Sequence, residues 1–174
     1  MTQIAFHALS VGGGLLALSA LPGRGGDYAR DLEHIRDWKP SIVVSMTTLS
    51  EMTEFGAEML GVDVRERAAR WAHLPVADFG VPDEQVEKDW PKVAVSVLTS
   101  LRGGGRVLVH CMGGCGRSGM VALRLMVEAG EPVDLALGRL RAVRPCAVET
   151  DEQFDWAKKG RRRQLPRPGG MCQT

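Results

Sequence analysis

Between Val107 and Met120 the chain reads VLVHCMGGCGRSGM, and this is where its residue types could do chemistry. Cys111 and Arg117 are separated by Met112, Gly113, Gly114, Cys115 and Gly116, and Ser118 follows the arginine. A buried strand, a glycine-rich turn and a helix start gather backbone N–H groups around one point, which makes an anion site. Glycine removes the Cβ clashes that would stop such a loop from curling. Arg117 adds a planar fork suited to two oxygens of a tetrahedral oxyanion. Cys111 would lie beneath that anion, where the amides, the helix dipole and Arg117 all favour thiolate over thiol. The expected chemistry is nucleophilic attack on a bound oxyanion.

Two other uses of the segment fit less well. A CxxxC clip for a metal needs a second pair of ligands, and none accompanies it. A nucleotide loop would carry GxxxxGK[ST], or GxGxxG with a downstream acid, and both are missing. Of the four cysteines, Cys111, Cys115, Cys146 and Cys172, none belongs to a dense disulfide framework, so a reducing compartment is the simpler reading. Cys115 is expected to pack as a small hydrophobe, or to pair with Cys111 if the loop rearranges.

The elements that must position this loop can be read outward from it. At 174 residues the chain suits one domain. GLLALSALPG reads as a strand and turn, and DYARDLEHIRDWKP places Tyr28, Leu32, Ile35 and Trp38 on one helix face closed by Pro40. SIVVSM is a buried strand, SEMTEF and VRERAARW are short helices, and HLPVADFG is a brief strand running into a loop. Asp83 to Leu101 forms a longer helix in which Pro91 demands a kink or a fresh start. RVLVH is the strand before the loop, and three helices follow in RSGMVALRLMVEAG, PVDLALGRLRAV and TDEQFDWAKK. Alternation of strand and helix predicts an α/β fold, a central mostly parallel sheet flanked by helices on both faces.

The whole string HCMGGCGRS resembles the signature of the cysteine-dependent protein tyrosine and dual-specificity phosphatases. ALPG, HLPVADFGVPD and VRPCAVETDEQ resemble the smaller branch that includes the cyclin-dependent-kinase-associated phosphatase and its bacterial relatives. The resemblance implies that Cys111 forms a cysteinyl-phosphate. It implies that Arg117 and the amides from Met112 through Gly116 to Arg117 hold the phosphoryl oxygens. Asp78 matches the family's general acid, with Asp83 as runner-up and better suited to capping a helix. Ser118 would ease departure of the sulfur, and His110 would orient the loop. Gln153 is open between positioning the hydrolytic water, as in related enzymes, and closing a Thr150–Gln153 capping box.

The expected substrate is a phosphorylated protein or peptide carrying phosphotyrosine, with phosphoserine and phosphothreonine also admitted. Met112 and Cys115 are uncharged where phosphoinositide-directed relatives carry lysine. A recognition module without turnover, or a phosphatase of small non-protein phosphomonoesters, are the alternatives. No cofactor or metal is expected. With 22 Lys plus Arg against 21 Asp plus Glu, neither nucleic acid nor an anionic membrane is indicated. The N-terminus lacks a basic start, and Gly12 to Gly14 interrupt its apolar stretch, so an export signal is not expected. A cytoplasmic monomer follows, with a phosphatase domain over 1–160 and a basic, flexible tail over 161–174.

Overall fold

Residues 2–167 are described by the computed structural model of the chain. Five strands form the sheet: β1 (His7–Val11), β2 (Gly14–Ser19), β3 (Ile42–Ser45), β4 (Arg70–His73) and β5 (Arg106–His110), in the spatial order β1-β2-β5-β3-β4. Among the described residues only the β1–β2 pair is antiparallel; β2–β5, β5–β3 and β3–β4 are parallel. The helices are α1 (Tyr28–Trp38), α2 (Leu49–Glu54), α3 (Leu60–Glu66), α4 (Glu84–Arg102), α5 (Gly116–Glu128), α6 (Val133–Val143) and α7 (Asp151–Lys158). This is the α/β layering the sequence predicts, with a mixed and mostly parallel sheet.

The continuous apolar strands are explained by burial on both faces. Leu16, Leu18, Val107 and Val109 point into one core with Val97 and Leu101 of α4 and Met120 and Leu123 of α5. Their neighbours Ala17, Leu108 and Val43 point into a second core with Leu32 and Ile35 of α1 and Leu60 and Val64 of α3. Each fully buried leucine or valine contributes roughly 1.5–3 kcal/mol.

The structure corrects two readings of the sequence and, of the two alternatives for Pro91, removes the fresh start. Gly12 and Gly13 do not simply interrupt an apolar stretch: both have positive φ, 60° and 102°, and turn a two-residue hairpin that adds β1. The strand assigned to HLPVADFG lies earlier, at β4, and α3 ends before Arg67, because Ala68 takes a left-handed φ of 62° ahead of the strand. Pro91 lies inside α4, which runs from Glu84 to Arg102 without a new start. No helix among the described residues is long and apolar enough to cross a membrane. In the described part of the tail, Arg163 is tied to Glu128 through its backbone N–H (2.8 Å) and its Nε (2.6 Å). Residues 168–174, with Cys172, lie outside the described residues.

Candidate active site

Parallel strands β2, β5 and β3 end level with one another, Ser19 and Ser45 both pairing with His110, so the loop after β5 emerges at the centre of the sheet. This carboxyl edge is where α/β sheets place ligands. The loop curls because the carbonyls of four of its residues are held on its outer side. Met112 O accepts from Leu21 N (3.2 Å), Gly113 O and Gly114 O accept from Arg144 Nη2 and Nε (2.8 and 2.9 Å), and Cys115 O accepts from Gly119 N (2.9 Å). With carbonyls outward, the amides from Met112 to Arg117 turn inward. Gly114 is required here: its φ is 71°, and a Cβ would fall 2.6 Å from the Ser19 backbone. Helix α5 begins without a side-chain cap, which leaves its N-terminal dipole for a ligand.

Cys111 is buried beneath this turn, its Sγ 3.3 Å from Ser118 Oγ. Arg117, also buried, sends Nη1 and Nη2 to the two oxygens of Glu51, each at 2.8 Å, and Nη1 also donates to Val76 O at 2.8 Å. Of the five guanidinium N–H groups, those three bonds leave Nε–H and one on Nη2, the latter facing Asp78 Oδ1 at 3.1 Å. The remaining edge suits two phosphoryl oxygens. Burial works against the charge on Arg117, but the Glu51 hydrogen bond and charge outweigh it and raise its pKa. Burial likewise opposes ionisation of Glu51, and the bonds from Arg117 and Thr48 reverse this, so its pKa is lowered. The pair stays charged.

Asp78 is half-exposed and its Oδ1 lies 3.1 Å from Arg117 Nη2. Its loop is an extension of β4 in which Leu74 N and Val76 N donate to Ser45 O and Met46 O. Asp83 is elsewhere engaged: its Oδ1 accepts from Val86 N at 2.9 Å and caps α4. Gln153 is fully buried. It closes the capping box with Thr150, accepts from Glu149 N (2.9 Å), and donates Nε2 to Gly80 O (3.2 Å), so it ties the Asp78 loop to α7. His110 Nε2 meets Ser45 Oγ at 2.6 Å, and Trp71 Nε1 donates to the same hydroxyl at 2.8 Å. Burial, partly offset by the contact of the ring with the Cys111 backbone, lowers the His110 pKa to about 4.

Cys115 neither packs as a free thiol nor faces Cys111 as a partner. It forms a disulfide with Cys146, 31 residues on, and this corrects both expectations and leaves no Cys111–Cys115 clip for a metal. The four thiols therefore do not all stay reduced in this structure. Sequence reasoning also missed Glu51, hidden as the fourth member of a Thr48 capping box, and Arg144, one arginine among many. The cue for Glu51 was its place just after β3, at the same sheet edge as Cys111.

These groups open onto a cavity of about 360 Å³ lined by Cys111, Arg117, Asp78, Phe79, Arg24 and Glu149, among others. A larger cleft, about 660 Å³ around Arg102, Glu128 and Arg163, holds no nucleophile, and its carboxylate is already paired.

The protein-tyrosine phosphatase family model matches residues 64–160. Cyclin-dependent kinase inhibitor 3 of Rattus norvegicus is 28% identical over 149 residues, which cover 81% of this chain and 69% of the relative; the Homo sapiens protein is 27% identical over the same share. Among solved structures, kinase associated phosphatase with its catalytic-site cysteine changed to serine superposes with a TM-score of 0.79 at 24% identity, covering 91% of this chain and 94% of that one. Tk-PTP in its active form gives 0.69 at 28% identity, covering 88% and 95%. With its family match spanning more than half its length, the chain belongs to the protein-tyrosine phosphatase family.

Proposed function

We propose that the protein hydrolyses phosphotyrosine, and also phosphoserine and phosphothreonine, in phosphoprotein substrates through a cysteinyl-phosphate. The observation that carries this reading is the convergence of Cys111, Ser118, Arg117 and Asp78 on one cavity at the amide-lined loop. The thiolate of Cys111 attacks phosphorus as the P–O bond to the substrate breaks. Arg117 and the loop amides hold the three equatorial oxygens. Asp78 gives its proton to the departing oxygen and then takes one from the attacking water. As the S–P bond breaks, Ser118 donates to the returning thiolate. Gln153 and His110 position the acid loop and the nucleophile strand.

The same reading keeps the sequence's expectation of a cytoplasmic monomer that binds a phosphoprotein and neither nucleic acid nor membrane. Met112 and Cys115, uncharged and placed in the loop, support a phosphoprotein over a highly phosphorylated inositol. The test is release of phosphate from an aryl phosphate and a phosphopeptide panel without added metal, beside Cys111→Ser. Turnover should vanish in the variant. Full activity in Cys111→Ser would sink the reading, and phosphopeptide binding without release by the wild type would make the chain a recognition module.

A further inference from the structure

The segment between α6 and α7 braces the outer side of the phosphate loop at several points. Arg144 takes Gly113 O and Gly114 O, Val148 N reaches Cys115 O at 3.4 Å, and the Cys115–Cys146 disulfide joins the two covalently. Gly119 lets the brace come this close, since a Cβ there would fall 2.6 Å from Val148 N. Val148 has a φ of 66°, a left-handed conformation costly for a β-branched residue, and it is held there while Arg141 Nη2 donates to its carbonyl at 3.0 Å. A strained backbone persists only where its surroundings over-determine it. Here the disulfide, the arginines and the close packing supply that constraint.

The brace is also open to exchange. Cys146 is exposed and Cys115 lines the catalytic cavity, so a small thiol can reach the bond. Accessible disulfides are the labile kind. Cys111, the nucleophile, is not part of the pair and is the free thiol among the described cysteines.

We infer that the Cys115–Cys146 disulfide is a positioning element of the phosphate loop, and that its redox state sets how tightly the loop holds an oxyanion. The inference rests on the phosphatase reading of the same loop. Oxidation removes two electrons and two protons from the thiols of Cys115 and Cys146; a disulfide such as oxidised glutathione accepts them and leaves as two thiols. A dithiol reductant reverses the exchange. With the bond closed, the carbonyls of Gly113 and Gly114 stay on Arg144 and the amides stay aimed inward. With it open, Val148 relaxes from its left-handed conformation and the Cys115 end of the loop loses its covalent hold.

The readout is the inhibition constant of inorganic phosphate against an aryl phosphate, which does not depend on how much Cys111 is intact. It is measured for the oxidised wild type, the dithiothreitol-reduced wild type and Cys146→Ser, with mass spectrometry of the linked peptide. Reduction should raise the constant roughly five- to tenfold, the low end of coupling between distinct sites. Cys146→Ser should match the reduced enzyme and ignore reductant. The proposal falls if the linked peptide is absent, or if the constant is the same in both redox states while only thermal stability changes. Should Cys146→Ser fail to fold, the two wild-type states decide alone. Should the oxidised enzyme not turn over aryl phosphate, the catalytic reading fails separately, and calorimetric phosphate binding in the two states still decides the role of the disulfide.

Discussion

Arg117 and Glu51 meet edge to edge, Nη1 on Oε2 and Nη2 on Oε1, both at 2.8 Å. The same Glu51 oxygen that takes Nη1 also accepts from Thr48 N at 2.8 Å, so the start of α2 fixes the guanidinium plane. Arg117 is thereby held in one orientation by the protein alone.

Glu51→Ala should therefore lower kcat/KM by about 100-fold, the scale of a misplaced catalytic group. It should also destabilise the fold by about 3 kcal/mol, because it strands a buried cation. Glu51→Gln, which keeps the shape and one acceptor, should fall between. Steady-state kinetics with urea unfolding check this; an unchanged kcat/KM in Glu51→Ala would remove Glu51 from the site.

Asp78 and Asp83 separate by leaving group. Asp78→Asn should slow hydrolysis of phenyl phosphate by about 100-fold and barely affect an ester whose leaving group needs no proton. Asp83→Ala should leave kcat alone and cost about 1 kcal/mol through the lost α4 cap. The opposite pattern would move the acid role to Asp83.

Acid should weaken the fold through His110 before the carboxylates titrate. Its folded pKa is lowered to about 4 from an ordinary 6.5, so between those values the unfolded chain binds the extra proton. Stability is then full above about pH 6.5 and falls by up to about 1.4 kcal/mol per unit on acidification. His7, lowered chiefly by partial burial, has the same sign. Urea unfolding from pH 7 to pH 5 should show the slope, and His110→Asn should flatten most of it. An equal slope in the variant would assign the effect elsewhere.

The tail can be cut to find where the domain ends. Glu128 is buried and accepts from Arg163 Nε (2.6 Å), Arg124 Nε (2.7 Å) and Trp90 Nε1 (2.9 Å). Burial alone would raise its pKa, and these bonds, Arg163's first, lower it instead. Truncation after Gly160 should cost about 1.5–3 kcal/mol relative to truncation after Leu165, the worth of a charge-assisted bond. Equal stability of the two forms would place the boundary at 160.

Much of this was legible because it is local. RVLVH is a continuous apolar run, the glycines after it announce a turn, and the pairing of Asp83 with an N-cap needs no tertiary knowledge. The hairpin at Gly12–Gly13 was equally local, yet its strand β1 has only five residues, with Ala8 exposed, so the alternation of Leu9 and Val11 is too short to stand out. Glu51, Arg144 and Cys146 were not legible for another reason. They meet Arg117, Gly113 and Cys115 across separations of 66, 31 and 31 residues. Their neighbourhoods place Glu51 just after β3 and Arg144 and Cys146 in the VRPC stretch, but do not say which partner each one meets. Sheet order creates those contacts, and it is a property of the whole chain.

Strand β5 is the middle member of the five, with β2 on one side and β3 on the other. Local opening of a protein begins at frayed edges and ends with the elements hydrogen-bonded on both flanks. Hydrogen exchange should therefore find Leu108 and Val109 among the slowest amides, while β1 and β4 exchange earlier. Cys111 follows directly on this last segment to open, so partial unfolding at either margin of the molecule leaves its thiol in its seat.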